Sequence, residues 1–349
     1  MEKKIIDKLS QRIIISRTDA IGDVVLTLPL AGRIKATFPN SQLLFLGKTY
    51  TKAVIDCCSA IDEFVNYDTF EKGTETEQED FLKSLNADVI IHVYPRKSIS
   101  KAAKDAGITI RIGTRNRVYH WTTCNRLVQL SRKNSGIHEA LLNMVLLKPL
   151  GIDAPLKEDE LFSLFAFDKI PELETEYKNF THSGKINLIL HPKSHGSARE
   201  WSLEHFEELI KSLPAEQFQL FITGGEMEKE KLEYWIKDLP LHVKDVTGRF
   251  TLPQLIAFIQ RCDGVISAST GPLHIAAALG KFALGLYPPI QPMDPSRWAP
   301  IGERATYLVV DKKCDECRLV PEDCHCMNEI TPLLVKEKIL FYFPLNRSK

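Results

Sequence analysis

The sequence has no surplus of charge of either sign. Its 45 Lys and Arg are matched by 45 Asp and Glu, so no global field favours nucleic acid or a membrane surface, and every electrostatic argument is a local one. A long uninterrupted apolar run is also missing. The most apolar stretch, 271–290, is broken by His274, Lys281, Pro288 and Pro289, whereas a membrane span takes about 20 apolar residues. It reads as a buried helix followed by a strand. The opening Met-Glu-Lys-Lys-Ile-Ile-Asp-Lys has neither the apolar core nor the small-residue cleavage site of a signal peptide. The eight cysteines are scattered, which favours reduced thiols in the cytoplasm over a disulfide frame. The turn after the first apolar run holds a single glycine, Gly22. A triple-glycine dinucleotide fingerprint is therefore absent there, which argues against an oxidoreductase.

What is present is a rhythm. A chain of 349 residues exceeds one ordinary core and predicts two domains. Short apolar runs alternate with helical patterns. In the first half the expected strands are 13–17, 41–47, 88–94 and 108–112, with a weaker one at 63–67. The expected helices are 23–37, 50–58, 76–85, 98–106 and 138–149. A stretch without clear period, 151–185, is the expected linker region. The alternation then restarts, with strands at 186–191, 218–223, 242–246, 264–268, 282–287 and 306–310. Helices are expected at 202–213, 226–238, 252–261, 271–279 and 330–343. Such alternation predicts an α/β fold of two doubly wound, Rossmann-like domains facing each other across a cleft. The expected domains are 1–165, 166–329 and a C-terminal helical segment, 330–349, packing back on the first.

Several strand ends carry polar chemistry. After the strand at 186–191 come Lys193, Ser194 and Arg199 in a small-residue loop, then Trp201 and a helix N-capped by Ser202. This is an anion site or a plain polar connection. After the strand at 264–268 come Ser269, Thr270 and Gly271, with Pro272 in a helix's first turn and His274 beyond it. Free N–H groups beside two hydroxyls and a glycine suit a pyrophosphate, or make a tight strand-to-helix turn with ordinary capping. His274 points to a ligand or is a satisfied, partly buried histidine. Gly225 and Glu226 follow the strand at 218–223, where a carboxylate commonly holds ribose hydroxyls; Glu228 competes for that role, and either is otherwise a first-turn partner of the helix dipole. The first strand is followed by Arg17, Asp19 and Asp23. Asp23 is a general-base candidate or an N-cap for a helix starting at Val24.

The ordered motifs "SRTDAIGDVVLTLP", "HPKS…REW", "ITGGEMEKE" and "STGPLHIAAALG…YPP" resemble those of glycosyltransferase family 9, the heptosyltransferase-like enzymes of lipopolysaccharide core assembly. The resemblance runs from Ile13 to the cysteine-rich tail. It implies a GT-B fold, a C-terminal domain that binds a nucleotide-sugar such as ADP-heptose, and an N-terminal domain that binds the acceptor. It implies inverting transfer without an obligatory metal or other cofactor, and it makes Asp23 the base. Donor contacts would come from Lys193, Ser194, Arg199, Gly225, Glu226, Ser269, Thr270, Gly271, Pro272 and His274. One departure is that many relatives carry an aspartate where this chain has Ser269.

On the acceptor side, 111–133 holds five arginines and one lysine with no acidic residue, and Tyr119, His120 and Trp121 lie among them. This suits an anionic glycolipid acceptor, with Arg17, Arg115, Arg117 and Tyr119 as contacts, or it is a solvated basic loop. No nucleic-acid motif accompanies the charge. Cys314, Cys317, Cys324 and Cys326 are expected as free thiols, with zinc as the rival. The expected function is thus a cytoplasmic glycosyltransferase, in peripheral contact with the inner membrane's inner face. A GT-B nucleotide-sugar epimerase and a non-catalytic nucleotide-sugar-binding scaffold are the alternatives.

Overall fold

The structure, a computed structural model, describes residues 12–133, 135–153, 158–196, 198–312, 314 and 324–345. The chain divides into two units, Met1–Lys169 and Ile170–Lys349.

The first unit is built on β1 (Arg12–Ser16), β2 (Gln42–Gly47), β3 (Glu63–Asn66), β4 (Val89–His92), β5 (Ile110–Thr114) and β6 (Arg126–Val128), in the order β3-β2-β1-β4-β5-β6. Every pairing is parallel; Ile13–Ser16 of β1, for instance, runs in register with Val89–His92 of β4. The central strands β1, β2 and β4 have apolar, buried centres because both faces of the sheet are covered. On one face Ile14, Leu44, Leu46 and Ile90 pack with Tyr67, Phe70, Ile99 and Ala103.

The second unit repeats the plan with β7 (Ile186–His191), β8 (Phe218–Ile222), β9 (Val243–Asp245), β10 (Gly264–Ala268), β11 (Phe282–Tyr287) and β12 (Ala305–Val309). Its order is β12-β11-β10-β7-β8-β9, again all parallel. In both sheets the strand order reverses beside the first strand, between β1 and β4 and between β7 and β10. The crevice outside the carboxyl ends of such a strand pair is where open α/β sheets take ligands.

The structure departs from the sequence reading in places. The helix expected over 23–37 is two helices, Ile21–Val25 and Leu28–Thr37. Pro29 at the start of the second has no N–H to donate back into the first, so the turn tightens, with Thr27 N–H bonding to the Val24 carbonyl. The helix therefore begins before Asp23, with Ala20 at the N-cap and no side-chain cap. Asp23 lies inside its first turn, so the reading of Asp23 as the N-cap of a helix from Val24 is corrected. The short strand β6 lies where no element was expected, and the helix Tyr67–Lys72 starts at the last residue of the expected weak strand 63–67. The last helix, Pro332–Tyr342, is part of the second unit's core, where Val335 and Ile339 are buried with Trp201, Phe206 and Leu209. The indole N–H of Trp201 donates to the Ile330 carbonyl at 2.7 Å, tying this segment to the loop after β7. Among the described residues no helix is long and apolar enough to cross a membrane.

Candidate active site

The carboxyl end of β1 carries a buried guanidinium. Arg17, 2% exposed, spends all three of its nitrogens on carboxylates. Nε bonds to Asp19 at 2.7 Å, Nη1 to Glu139 at 2.9 Å, and Nη2 to Asp23 in a short contact. Glu139, at the start of the helix Glu139–Met144, is fully buried and also accepts from Arg132 Nε at 2.8 Å. Asp19 and Asp23 each keep about a fifth of their side chain exposed, so the cluster opens to solvent on their side.

The Asp23 carboxyl is raised to about 6: burial pushes it up most, the Arg17 cation pulls it down, and the neighbouring Asp19 and Glu139 charges push it up further. Burial likewise raises Asp19 against the pull of Arg17. Asp19, Asp23 and Glu139 supply three negative charges and Arg17 with Arg132 two positive ones, leaving one carboxylate in excess. Burial is the main reason a proton is held unusually well here, and the excess negative charge adds to it. Near neutral pH Asp23 is a carboxylate able to accept a proton.

Around this cluster lie residues the sequence reading passed over. Tyr50, 51% exposed, donates to the Asp19 carbonyl at 2.7 Å. Arg96, just past β4, donates to the Thr18 hydroxyl at 2.6 Å and lies over the rings of Tyr67 and Tyr94. Their signal was their place, directly after strands of a doubly wound sheet. Glu139 had no such signal, because it opens an apolar helix far along the chain.

The basic stretch divides. Arg111 is spent inside the unit, on the carbonyls of Thr123 and Ile108, and Arg132 on Glu139 and Asn143. Arg115, Arg117 and Arg126 are exposed. Trp121 is exposed as well, its indole N–H fixed on the Arg115 carbonyl at 2.8 Å. Tyr119 is half-buried, while His120 is fully buried and held by Thr114. Arg17 is thus internal, whereas Arg115, Arg117 and Tyr119 reach the surface.

In the second unit, the loop after β7 folds around Glu200, which the sequence reading did not single out. Its carboxylate accepts from Lys193 Nζ at 2.8 Å, from the Ser194 N–H at 2.8 Å and from the Ser194 hydroxyl at 3.1 Å. Burial alone would raise this carboxyl, but the Lys193 and Ser194 bonds outweigh it and hold it below its usual value. The turn is tight, His195 and Gly196 both being left-handed at φ 50° and 76°. Arg199 is half-buried at its end.

One strand over, Ser267 at the end of β10 bonds to the His191 carbonyl of β7 at 3.0 Å and to the Thr270 hydroxyl at 2.8 Å. This fixes Ser269 and Thr270 ahead of the helix Gly271–Ala278, whose N-cap Thr270 makes no side-chain cap. Ser269, Gly271 and Pro272 are half-buried, and His274 is buried in the first turn. Gly225 and Glu226 are exposed at the start of the helix Glu226–Lys237. Glu228 is instead buried; its carboxylate caps the Gly225 N–H at 2.7 Å and meets His195 Nε2 at 3.4 Å. The loop after β7 and the turn after β10 thus flank one switch point, while Gly225 and Glu226 follow the neighbouring β8.

Cys314, Cys324 and Cys326 are described, but Cys317 lies outside the described residues, so the four-thiol zinc reading falls partly beyond them. Among the described residues no group of three or more His, Cys, Asp or Glu could hold a metal ion.

Residues 100–327 match the family model described as glycosyltransferase family 9 (heptosyltransferase). The chain belongs to glycosyltransferase family 9. It is accordingly a glycosyltransferase. Its relatives include a putative glycosyltransferase of Haemophilus influenzae, 26% identical over 84% of this chain and 87% of that protein. A lipooligosaccharide heptosyltransferase 2 of Campylobacter jejuni is 23% identical over 91% of this chain and 95% of its own length. The solved structure of the E. coli ADP-heptose lipopolysaccharide heptosyltransferase II superposes with a TM-score of 0.73 at 17% identity, covering 94% of this chain and 97% of the other. This likeness is one of fold, the two-Rossmann GT-B architecture of this glycosyltransferase family.

Proposed function

We propose that this family 9 enzyme is an inverting heptosyltransferase. In this reading it moves a heptose from ADP-heptose to an anionic lipopolysaccharide-core acceptor at the cytoplasmic face of the inner membrane. The observation that carries the reading is Asp23, a partly exposed carboxyl at the first sheet's switch point whose proton affinity lies close to neutrality. The acceptor hydroxyl oxygen attacks the anomeric carbon, its proton passes to the Asp23 carboxylate, and the bond from that carbon to the diphosphate oxygen breaks. The electron pair leaves with ADP, and the new bond forms on the opposite face of the sugar. A base matched to the working pH is what such a step requires.

The leaving diphosphate gains charge as the bond breaks. Lys193, the Ser194 hydroxyl, Arg199 and the N–H groups opening the helix Gly271–Ala278 are donors of the type that stabilises it without a metal. Gly225 and Glu226, or the buried Glu228, serve the nucleoside. Ser269, Pro272 and His274 complete the donor contacts. ADP-heptose is the donor named for the E. coli structural neighbour, and the heptosyltransferase names of relatives support heptose.

The donor assignment is tested by thermal unfolding with ADP-heptose, ADP-glucose and UDP-sugars. A ligand present at about 100 times its dissociation constant stabilises the native state by about 2.7 kcal/mol, a shift of several degrees in midpoint. ADP-heptose is expected to give the largest shift, and transfer to heptose-deficient lipopolysaccharide should follow. A shift with UDP-sugars alone would overturn the donor assignment.

The exposed Arg115 and Arg117 form the acceptor's anionic subsite, with Tyr119 beside them. Reversing both to Glu should raise the acceptor KM by about tenfold or more, the weight of one or two lost charge-assisted hydrogen bonds. The donor KM should stay within about twofold, since those bonds are not made to the donor. Steady-state kinetics with each substrate varied in turn decides it, and equal effects on both would count against the assignment.

A further inference from the structure

Asp23 belongs to a closed ring of hydrogen bonds that joins two distant parts of the first unit. From its carboxylate the ring passes to Arg17 Nη2, from Arg17 Nη1 to Glu139 Oε1 at 2.9 Å, and from that same oxygen to Arg132 Nε at 2.8 Å. Arg132 Nη2 donates to Asn143 Oδ1 at 2.8 Å, and Asn143 Nδ2 donates to the Thr27 hydroxyl at 3.3 Å and the Leu26 carbonyl at 3.2 Å. The Thr27 hydroxyl closes the ring on the Asp23 carbonyl at 2.8 Å. Glu139 stands 122 residues from Arg17 in sequence and is wholly buried.

We propose that Glu139 is a positioning residue that sets the orientation and proton affinity of the Asp23 carboxylate through the guanidinium they share. The inference rests on the reading of Asp23 as the base. Two physical consequences follow from the geometry. Arg17, gripped on three sides, cannot rotate its plane, so Asp23 meets a fixed donor rather than a mobile one. Glu139 also claims a share of the Arg17 charge that would otherwise fall on Asp23. A cation left to Asp19 and Asp23 alone would hold Asp23 ionised to lower pH and make it a weaker base.

The groups facing Asp23 are Arg17 and Asp19 from the β1 loop and Glu139 from the helix Glu139–Met144. Arg132 lies behind Glu139, and Tyr50 reaches in from the segment after β2. Arg132 is the counterweight. It neutralises Glu139 and so limits how much that carboxylate can raise Asp23.

The test uses two variants of opposite sign and the pH profile of kcat/KM. Glu139→Gln keeps shape and hydrogen bonding but leaves the cluster neutral, so the acid limb should move down by about one pH unit. The plateau kcat should fall by about tenfold, because the base is weaker. Arg132→Gln removes a positive charge, and the limb should move up. Glu139→Asp, which keeps the charge, should return the limb toward its original place.

A purely structural Glu139 would lower the unfolding temperature and leave the limb where it was. An unmoved limb in Glu139→Gln, or a shift of the same sign in both Gln variants, would overturn the inference. Should Glu139→Gln not fold, the direction of the Arg132→Gln limb decides alone. Near-normal turnover in Asp23→Asn would remove the base itself, a failure distinct from an Asp23-dependent enzyme whose limb ignores Glu139.

Discussion

Asp23→Asn should lower turnover by about 10² to 10⁴, the usual contribution of general-base catalysis. The amide keeps an oxygen for Arg17 Nη2 but cannot take a proton at neutral pH. Donor affinity should hardly change. Asp19→Asn is the internal control. It removes a neighbouring charge and lowers the proton affinity of Asp23, so its acid limb should shift down while turnover falls far less. Loss of a helix cap does not confuse the result, because Ala20, and not Asp23, occupies the N-cap.

Stability should move opposite to activity. The Asp23 carboxyl is raised in the folded state to about 6, so its contribution to stability is complete below the unfolded-state value and is lost as pH rises through the folded one. Activity rises through that same window as the base is freed. Asp23→Asn cannot ionise, and its unfolding midpoint should lose less than the parent's between about pH 4 and 7. A stable Asp23→Asn enzyme with near-normal turnover would return the role of base to Asp19.

Lys193→Ala should lower kcat/KM for the donor by about 10² to 10³, the loss found when one preorganised donor to developing negative charge is removed. Its ammonium is held by Glu200 at 2.8 Å with about a fifth of the side chain exposed. It is therefore aimed and partly desolvated before any diphosphate arrives. Glu200 keeps the Ser194 N–H and hydroxyl in the variant, so the loop should retain its shape and the acceptor KM its value. Lys193→Arg should recover only part of the loss, since a planar fork does not replace a point charge on a short reach. The measurements are donor-dependent steady-state kinetics and calorimetric titration with ADP. Donor constants within about twofold of the parent would show that Lys193 serves only Glu200.

By itself the sequence determined the two parallel sheets and the strand ends where chemistry collects. Buried on both faces, β7, β10 and β11 are mostly apolar runs, and their observed limits, Ile186–His191, Gly264–Ala268 and Phe282–Tyr287, are those read from the chain. Polar residues follow these runs at the carboxyl edge, which is why the strand-end positions of Asp23, Lys193 and Thr270 were legible in the chain. Only the tertiary structure decided which charges are already spent. Arg111 and Arg132 look like Arg115 and Arg117 in a count of cations, yet the first two are committed to internal carbonyls, Glu139 and Asn143. Glu139 and Glu200 look like ordinary helix-entry and loop acids, and become the counter-ions of Arg17 and Lys193 through contacts 122 and 7 residues apart. Periodicity reports which face of an element is buried, because burial acts on each residue in turn. A pairing of two charges is a property of two positions at once, and folding alone brings them within reach.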